Sequence, residues 1–389
     1  MQKLRQMQEI CETLQATAGF REVQTMDLQS AIHVKRCNKT YLLLSSNNYL
    51  GLTHHPQVQA AAVAAVERYG TGSGGARLTS GSHPLYERLE SRIASFKQAE
   101  AVLVFGTGYM ANVGVLSALA DQAGDVVFSD ALNHASIIDG CRLAKGKTVV
   151  YPHSDMHALE HMLQHTPCSG QRFIVTDGVF SMDGDIARLD EIVCLAEKHD
   201  AMVMVDDAHA TGVIGPEGRG TAAYYGLTGR VPVEIGTLSK ALAAEGGFVA
   251  GSELVIRYLT NKARSFIFST ALSAATIAAA DKALQVLQAE PWRIGRLQEK
   301  SRLVKDKLLT AGLDLLPSET PIIPIVTGSA ERTLDFSKKL ESQGILVSAI
   351  RPPTVPQGQS RLRLTITDGH CAAELAAAAD IIGQMGQHG

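Results

Sequence analysis

The chain has almost no excess of either charge: 36 Lys and Arg stand against 39 Asp and Glu in 389 residues, a formal net charge of −3. That balance leaves no cationic footprint for a nucleic-acid backbone, and no like-charge run long enough to form a solvated tail. Also missing is any uncharged apolar run of the ~18 residues that a membrane-spanning helix needs. The opening MQKLRQMQEICETLQA reads as an amphipathic helix and lacks the apolar centre of a secretion signal. The six cysteines, at 11, 37, 141, 168, 194 and 371, form no C-x-x-C pair and no disulfide framework. Reduced thiols are the expectation. Internal repeats and low-complexity linkers are absent too. These gaps exclude nucleic-acid and membrane partners and leave a soluble, cytoplasmic protein.

What is present is a length of 389 residues, enough for two or three domains at ~150 residues each, and an apolar content of 45% that can fill a large core. Short apolar runs at 101–105, 125–128, 148–151, 173–176, 202–205, 233–236 and 247–250 alternate with longer helical patterns. Their apolarity is continuous rather than alternating, which predicts strands covered on both faces in a mostly parallel α/β sheet. A long helix is expected over about 271–289. From about 292 the style changes to a charged helix and strands at 321–326, 345–348 and 361–366, as in a smaller α+β domain with an antiparallel sheet. The division expected is an N-terminal helix with short strands (1–45), a large domain (46–290) and a small C-terminal domain (291–389).

Two glycine clusters compete for a phosphate. Gly70-Thr71-Gly72-Ser73-Gly74-Gly75 fits G-x-G-x-x-G, but a helical pattern precedes it where a dinucleotide fingerprint needs a strand. Gly106-Thr107-Gly108-Tyr109-Met110-Ala111 follows a strand and opens a helix, the right context for a phosphate on helix N-terminal amides. It also fits a dinucleotide variant, which keeps an oxidoreductase as a rival. His157-Ala158-Leu159-Glu160-His161 matches H-x-x-E-H. On a helical wheel, however, its histidines fall opposite Met156, Leu159, Met162 and Leu163, which predicts a surface helix and no metal site. The loop holding Asp183 and Asp185 lacks the further ligands of a calcium site.

The most informative pair is Asp206, at the end of an apolar strand, and Lys240, just after another and flanked by Thr237, Ser239 and small residues. Acids at strand C-termini sit where open α/β sheets bind ligands. A lysine in an apolar setting has its pKa lowered and becomes a Schiff-base nucleophile. An acid for a pyridine nitrogen, a lysine for an aldehyde and the Gly108 turn for a phosphate together describe one cofactor, pyridoxal phosphate.

Six segments in order along the chain resemble the α-oxoamine synthases, fold-type I pyridoxal-phosphate transferases. They are Ser46-Asn47-Asn48-Tyr49-Leu50-Gly51, Gly72-Ser73-Gly74-Gly75, Asn133-His134-Ala135-Ser136, Asp177–Asp185, Asp206-Asp207-Ala208-His209 and Thr237-Leu238-Ser239-Lys240. The resemblance implies a large sheet domain, a small C-terminal domain and an N-terminal arm. It also implies decarboxylative joining of an amino acid to an acyl thioester. Ala349-Ile350-Arg351-Pro352-Pro353-Thr354-Val355-Pro356 and Ser360–Thr365 resemble the branch that joins L-alanine to a pimeloyl thioester in biotin biosynthesis. A glycine-using acyltransferase of the same family is the alternative, and an aminotransferase the rival outside it.

Carried over by resemblance, Lys240 holds the cofactor, Asp206 pairs with its ring nitrogen, and His209 bonds its ring oxygen. His134 lies on the ring face and Ser181 beside the ring oxygen, while Gly108, Tyr109 and Thr237 hold the phosphate. Thr270 reaches the phosphate of a neighbouring subunit, which implies a homodimer. Arg363 with Asn47 takes the amino-acid carboxylate, Arg361 being the less favoured choice, and Arg21 faces the acyl carboxylate. The acyl carrier, coenzyme A or a carrier protein, stays open. Ala243 and Ala244 depart from the glycine or serine usual after the lysine, and Arg188 from a usual proline.

Overall fold

The structure is a computed structural model that describes residues 1–17 and 19–387; positions 18, 388 and 389 of the expected segments lie outside them. It has two compact units, Asn48–Ser181 with Asp185–Gly295, and Met1–Asn47 with Met182–Gly184 and Arg296–Gly389.

All seven expected strands of the larger unit form, and they make one sheet. Its order is Ala101–Phe105, Gly247–Gly251, Val233–Thr237, Ala201–Asp206, Arg172–Asp177, Val126–Asp130 and Lys147–Tyr151. From Val233–Thr237 outward to Lys147–Tyr151 every pairing is parallel, and Gly247–Gly251 runs antiparallel to both its neighbours. Helices cover both faces. Val127, Phe173, Val175, Met204 and Ile235 pack with Val115, Leu116 and Leu259 on one side. Phe128, Ile174, Val203 and Val205 pack with Leu159, Ile192 and Val193 on the other. This two-sided burial is why the strands read as unbroken apolar runs.

Three strands run one residue past their apolar stretch, into Asp177, Asp206 and Thr237. Backbone pairing ends a strand, not side-chain polarity, and Asp177 pairs in register with Asp206, which pairs with Ile235. The expected helix at 271–289 starts later, as Ala274–Ala289, because the Ser273 hydroxyl caps the amide of Thr276. Met156–His165 is the expected surface helix. Asp155 caps Ala158 at 2.9 Å, Met156, Leu159 and Leu163 are buried, and the three histidines are exposed. Among the described residues no His, Cys, Asp and Glu group is placed to hold a metal, and no helix is long and apolar enough to cross a membrane.

The smaller unit has the expected antiparallel sheet, with Ser360–Thr365 between Ile322–Gly328 and Ser348–Ile350. Two expectations change here. Residues 1–47 cluster with the C-terminal part instead of standing alone, because Ile345–Leu346 adds in parallel to Lys39–Leu43 and completes a second sheet with His33–Arg36 and Asp27–Leu28. The expected strand at 345–348 is therefore two short ones in different sheets. The boundary expected at 290/291 falls after Gly295, within the helix Trp292–Thr310. Helix Gln2–Ala16 buries none of its residues.

Candidate active site

Five strand ends of the larger unit deliver side chains to one cavity of about 180 Å³. It is lined by Gly108, Tyr109, His134, Ser181, Asp206, His209, Thr237 and Lys240, together with Thr107, Asn112, Ser136, Asp177, Ala208 and Ser239. The strands concerned are parallel and present their C-terminal ends, where α/β sheets bind ligands.

After Ala101–Phe105 the chain turns at Gly106 and enters the helix Gly108–Leu119. Thr107 caps it. Its hydroxyl accepts the Met110 amide at 3.0 Å and its carbonyl accepts the Ala111 amide at 3.1 Å. Gly108 and Tyr109 therefore offer the remaining amides of the first turn, at the positive end of the helix dipole. The turn needs close approach: a Cβ on Gly247 would sit 2.6 Å from the Gly108 Cα. Beside it, the Thr237 hydroxyl contacts Ser239 Oγ at 2.7 Å and donates to the Gly246 carbonyl at 2.8 Å. Amides and hydroxyls arranged in this way suit a phosphate dianion.

Asp206 is buried. Its Oδ1 accepts the Ala208 amide at 2.9 Å and its Oδ2 accepts the Asn112 amide group at 2.6 Å. Asn112 also donates to Ser136 Oγ at 2.9 Å. On the neighbouring strand beside Asp206, the Asp177 carboxylate accepts the His134 amide at 2.8 Å, and the Asp177 amide donates to Asn133 Oδ1 at 2.9 Å. Full burial, and then the charge of Asp206, push the Asp177 carboxyl well above the usual carboxylate range. His134 is held below the ordinary imidazole value by burial, with the Lys240 charge adding and the Asp206 charge opposing. Its Nδ1 contacts Ser136 Oγ at 2.7 Å, and Tyr109 meets its ring edge-on at 6.4 Å. A buried acid, a lysine, an imidazole and a helix N-terminus around one cavity fit the groups that pyridoxal phosphate presents.

Lys240 lies in the tight connection from Val233–Thr237 to Gly247–Gly251. The Ala243 amide donates to the Lys240 carbonyl at 3.1 Å and the Ala244 amide to the Leu238 carbonyl at 2.9 Å. Ala243 has φ +55°, a conformation that favours glycine. Arg188 stands at the N-terminal flank of the helix Leu189–Lys198, makes no side-chain cap, and ion-pairs with Glu191.

The remaining expected residues lie elsewhere. Thr270 is exposed and does not line the cavity; it bridges Ala76, beside the Gly70–Gly75 loop. In the smaller unit, Arg363 is buried and donates to Asn47 Oδ1 at 3.1 Å and Thr365 Oγ1 at 2.8 Å. Arg361 is ion-paired with Asp183 at 2.5 Å. Arg351 donates to the Phe20 carbonyl at 2.7 Å, and burial and the charge of Arg21 lower its pKa.

Sequence reasoning missed three contributors. Asn112 has a visible signal as a polar residue amid the apolar GYMANVGVLSAL. Asp177 and Tyr49 stand inside segments already singled out. Tyr49 is fully buried, and its hydroxyl lies 2.6 Å from His209 Nδ1.

The aminotransferase class I and II family model matches residues 39–382. An 8-amino-7-oxononanoate synthase of Lysinibacillus sphaericus is 50% identical over 349 residues, covering 90% of each chain. A solved serine palmitoyltransferase from S. paucimobilis, with a bound pyridoxal-phosphate adduct of myriocin, superimposes with a TM-score of 0.94 at 30% identity. That match covers 100% of this chain and 98% of the other. The solved 8-amino-7-oxononanoate synthase of Francisella tularensis gives a TM-score of 0.77 at 28% identity, over 90% of this chain and 98% of the other. The chain belongs to the aminotransferase class I and II family, and within it to the fold-type I pyridoxal-phosphate enzymes of the 8-amino-7-oxononanoate synthase kind.

Proposed function

We propose that this chain is a pyridoxal-phosphate-dependent acyltransferase. It condenses L-alanine with a pimeloyl thioester to 8-amino-7-oxononanoate, carbon dioxide and free thiol, a step of biotin biosynthesis. The observation that carries the reading is the convergence of Lys240, Asp206, His209 and the Gly108–Tyr109 amides on one cavity.

Bound pyridoxal phosphate supplies an electron sink for the carbon beside an amino-acid carboxylate. The Gly108 and Tyr109 amides would hold its phosphate, and the Thr237 hydroxyl would join them by turning away from the Gly246 carbonyl. Asp206, fixed by Asn112 and the Ala208 amide, accepts from the ring nitrogen and keeps it protonated. His209 and Ser181 would bond the ring oxygen and His134 would cover the ring, all three lining the same cavity. Lys240 would hold the cofactor through its aldehyde carbon; once the alanine amine has replaced it at that carbon, the freed neutral Nζ would take the alanine Cα proton as general base. Arg363 with Asn47 binds the alanine carboxylate by a charge-assisted contact; Arg361 is already engaged by Asp183. The two like charges of Arg21 and Arg351, which oppose each other, suit the distal carboxylate of the pimeloyl chain. A cytoplasmic homodimer belongs to the same reading. The six cysteines are free, as in a reducing compartment, and the exposed Thr270 would serve the partner's phosphate.

The test is thiol and carbon dioxide release from a panel of amino acids with pimeloyl and acetyl thioesters of coenzyme A and of a carrier protein. Equal release with alanine and a pimeloyl thioester is expected. Preference for glycine with an acetyl thioester, or amino transfer to a 2-oxo acid without thiol release, overturns the reading. Lys240→Ala should lose the visible cofactor band and about 10²–10⁴ or more in rate.

A further inference from the structure

We infer that Tyr49 is a positioning residue that fixes the tautomer of His209, leaving the proton on Nε2 for the cavity; the inference rests on the cofactor reading above. The Tyr49 hydroxyl and His209 Nδ1 lie 2.6 Å apart, with the rings edge to face at 74°. Tyr49 is fully buried and His209 nearly so, so water does not compete for the contact. Two arrangements fit the pair: the phenol donates to Nδ1, or Nδ1–H donates to the phenol. The distance falls within the ~2.5–3.0 Å range of O–H donors and below the ~2.7–3.2 Å usual for N–H donors. A phenol is also a far stronger acid than a neutral imidazole N–H. The hydroxyl therefore donates, Nδ1 accepts, and a ring whose Nδ1 is bare carries its proton on Nε2.

His209 lines the cavity and Tyr49 does not. The nitrogen not engaged by Tyr49 is then a donor, matched to an oxyanion such as the deprotonated ring oxygen of pyridoxal phosphate. With the opposite tautomer, Nε2 would present a lone pair to that oxygen and repel it. The fold holds Tyr49 firmly. The Gly51 amide donates to the Asn48 carbonyl at 2.9 Å, Gly51 takes φ +67°, the Asn48 amide group donates to Thr53 Oγ1 at 2.8 Å, and Leu50 and Leu52 on either side are fully buried.

The first test needs no cofactor and no variant. Histidine-selective ¹⁵N labelling of the apoprotein, with His209 assigned by its loss in His209→Gln, reads the tautomer directly. A protonated Nε2 and a bare Nδ1 are expected; a proton on Nδ1 overturns the inference even if the chain binds pyridoxal phosphate as proposed. The second test compares Tyr49→Phe with the parent protein. The His209 signals should become a tautomer mixture, and cofactor affinity, read by visible-absorbance titration of apoprotein, should fall about tenfold, as for one buried hydrogen bond in a network. The pH midpoint of the cofactor band should shift with it. A Tyr49→Phe protein with unchanged tautomer, affinity and midpoint overturns the inference. Failure of the parent protein to bind pyridoxal phosphate at all would instead overturn the proposed function.

Discussion

At the scale of single residues, the cofactor lysine sits in a turn that the sequence makes harder to form. Ala243 adopts φ +55° three positions after Lys240, where a left-handed backbone costs an L-residue ~1–2 kcal/mol. Glycine would avoid that cost, at ~0.5–1 kcal/mol of added freedom in the unfolded chain. Ala243→Gly should therefore raise stability by ~0.5–1 kcal/mol, read as a higher urea midpoint of the apoprotein. A lower midpoint would show that the methyl group holds the turn together. The alanine was legible as a departure from its relatives, but its backbone angle was not. The angle follows from the Ala244 amide reaching the Leu238 carbonyl, a closure that no local pattern encodes. Asn112 shows the opposite case: a lone amide in an apolar helix already asks for a buried partner, and the partner is Asp206.

At the scale of elements, the strand ends that build the cavity are tied together from behind. Lys97 closes the helix Pro84–Lys97, and its Nζ reaches Asp207 at 2.7 Å, Glu234 at 3.1 Å and the Arg219 carbonyl at 2.7 Å, all in the interior. Burial alone would lower the Lys97 pKa; the Asp207 and Glu234 carboxylates outweigh it and raise it. Asp207 follows the strand that ends in Asp206, and Glu234 lies on the strand that leads to Thr237, so one ammonium clamps two arms of the site. Removing it strands two buried carboxylates. Lys97→Met should cost about 3–5 kcal/mol of stability, as for other broken buried pairs, measured by denaturant unfolding; a loss under ~1 kcal/mol would mean the carboxylates are not committed to it. All seven strands of this sheet were legible, because burial on both faces writes itself as a continuous apolar run. The pairing of Ile345–Leu346 with Lys39–Leu43 was not, because two residues of parallel pairing across the length of the chain leave no periodicity to read.

For the whole molecule, one histidine in each unit ties stability to pH, with opposite signs. In the larger unit, His153 bridges Asp130 at 2.9 Å and Asp185 at 3.0 Å. Burial would lower its pKa, but the bonds and charges of those two carboxylates raise it to about 10 from 6.5. The folded chain thus keeps a proton that the unfolded chain releases near pH 6.5. This contribution is complete below that value and is lost as pH rises toward 10. In the smaller unit, His370 is buried, its Nδ1 accepts the Thr367 amide at 3.0 Å, and its Nε2 donates to the Leu43 carbonyl at 3.1 Å. Burial lowers its pKa to about 4, so the unfolded chain takes up a proton first, and stability falls from pH 6.5 down toward 4. Acid should therefore remove the contribution of His370, and alkali that of His153. Denaturant midpoints across this range should lose part of their alkaline slope in His153→Gln and part of their acid slope in His370→Gln. A variant that lowers stability equally at every pH would show that its histidine packs without titrating.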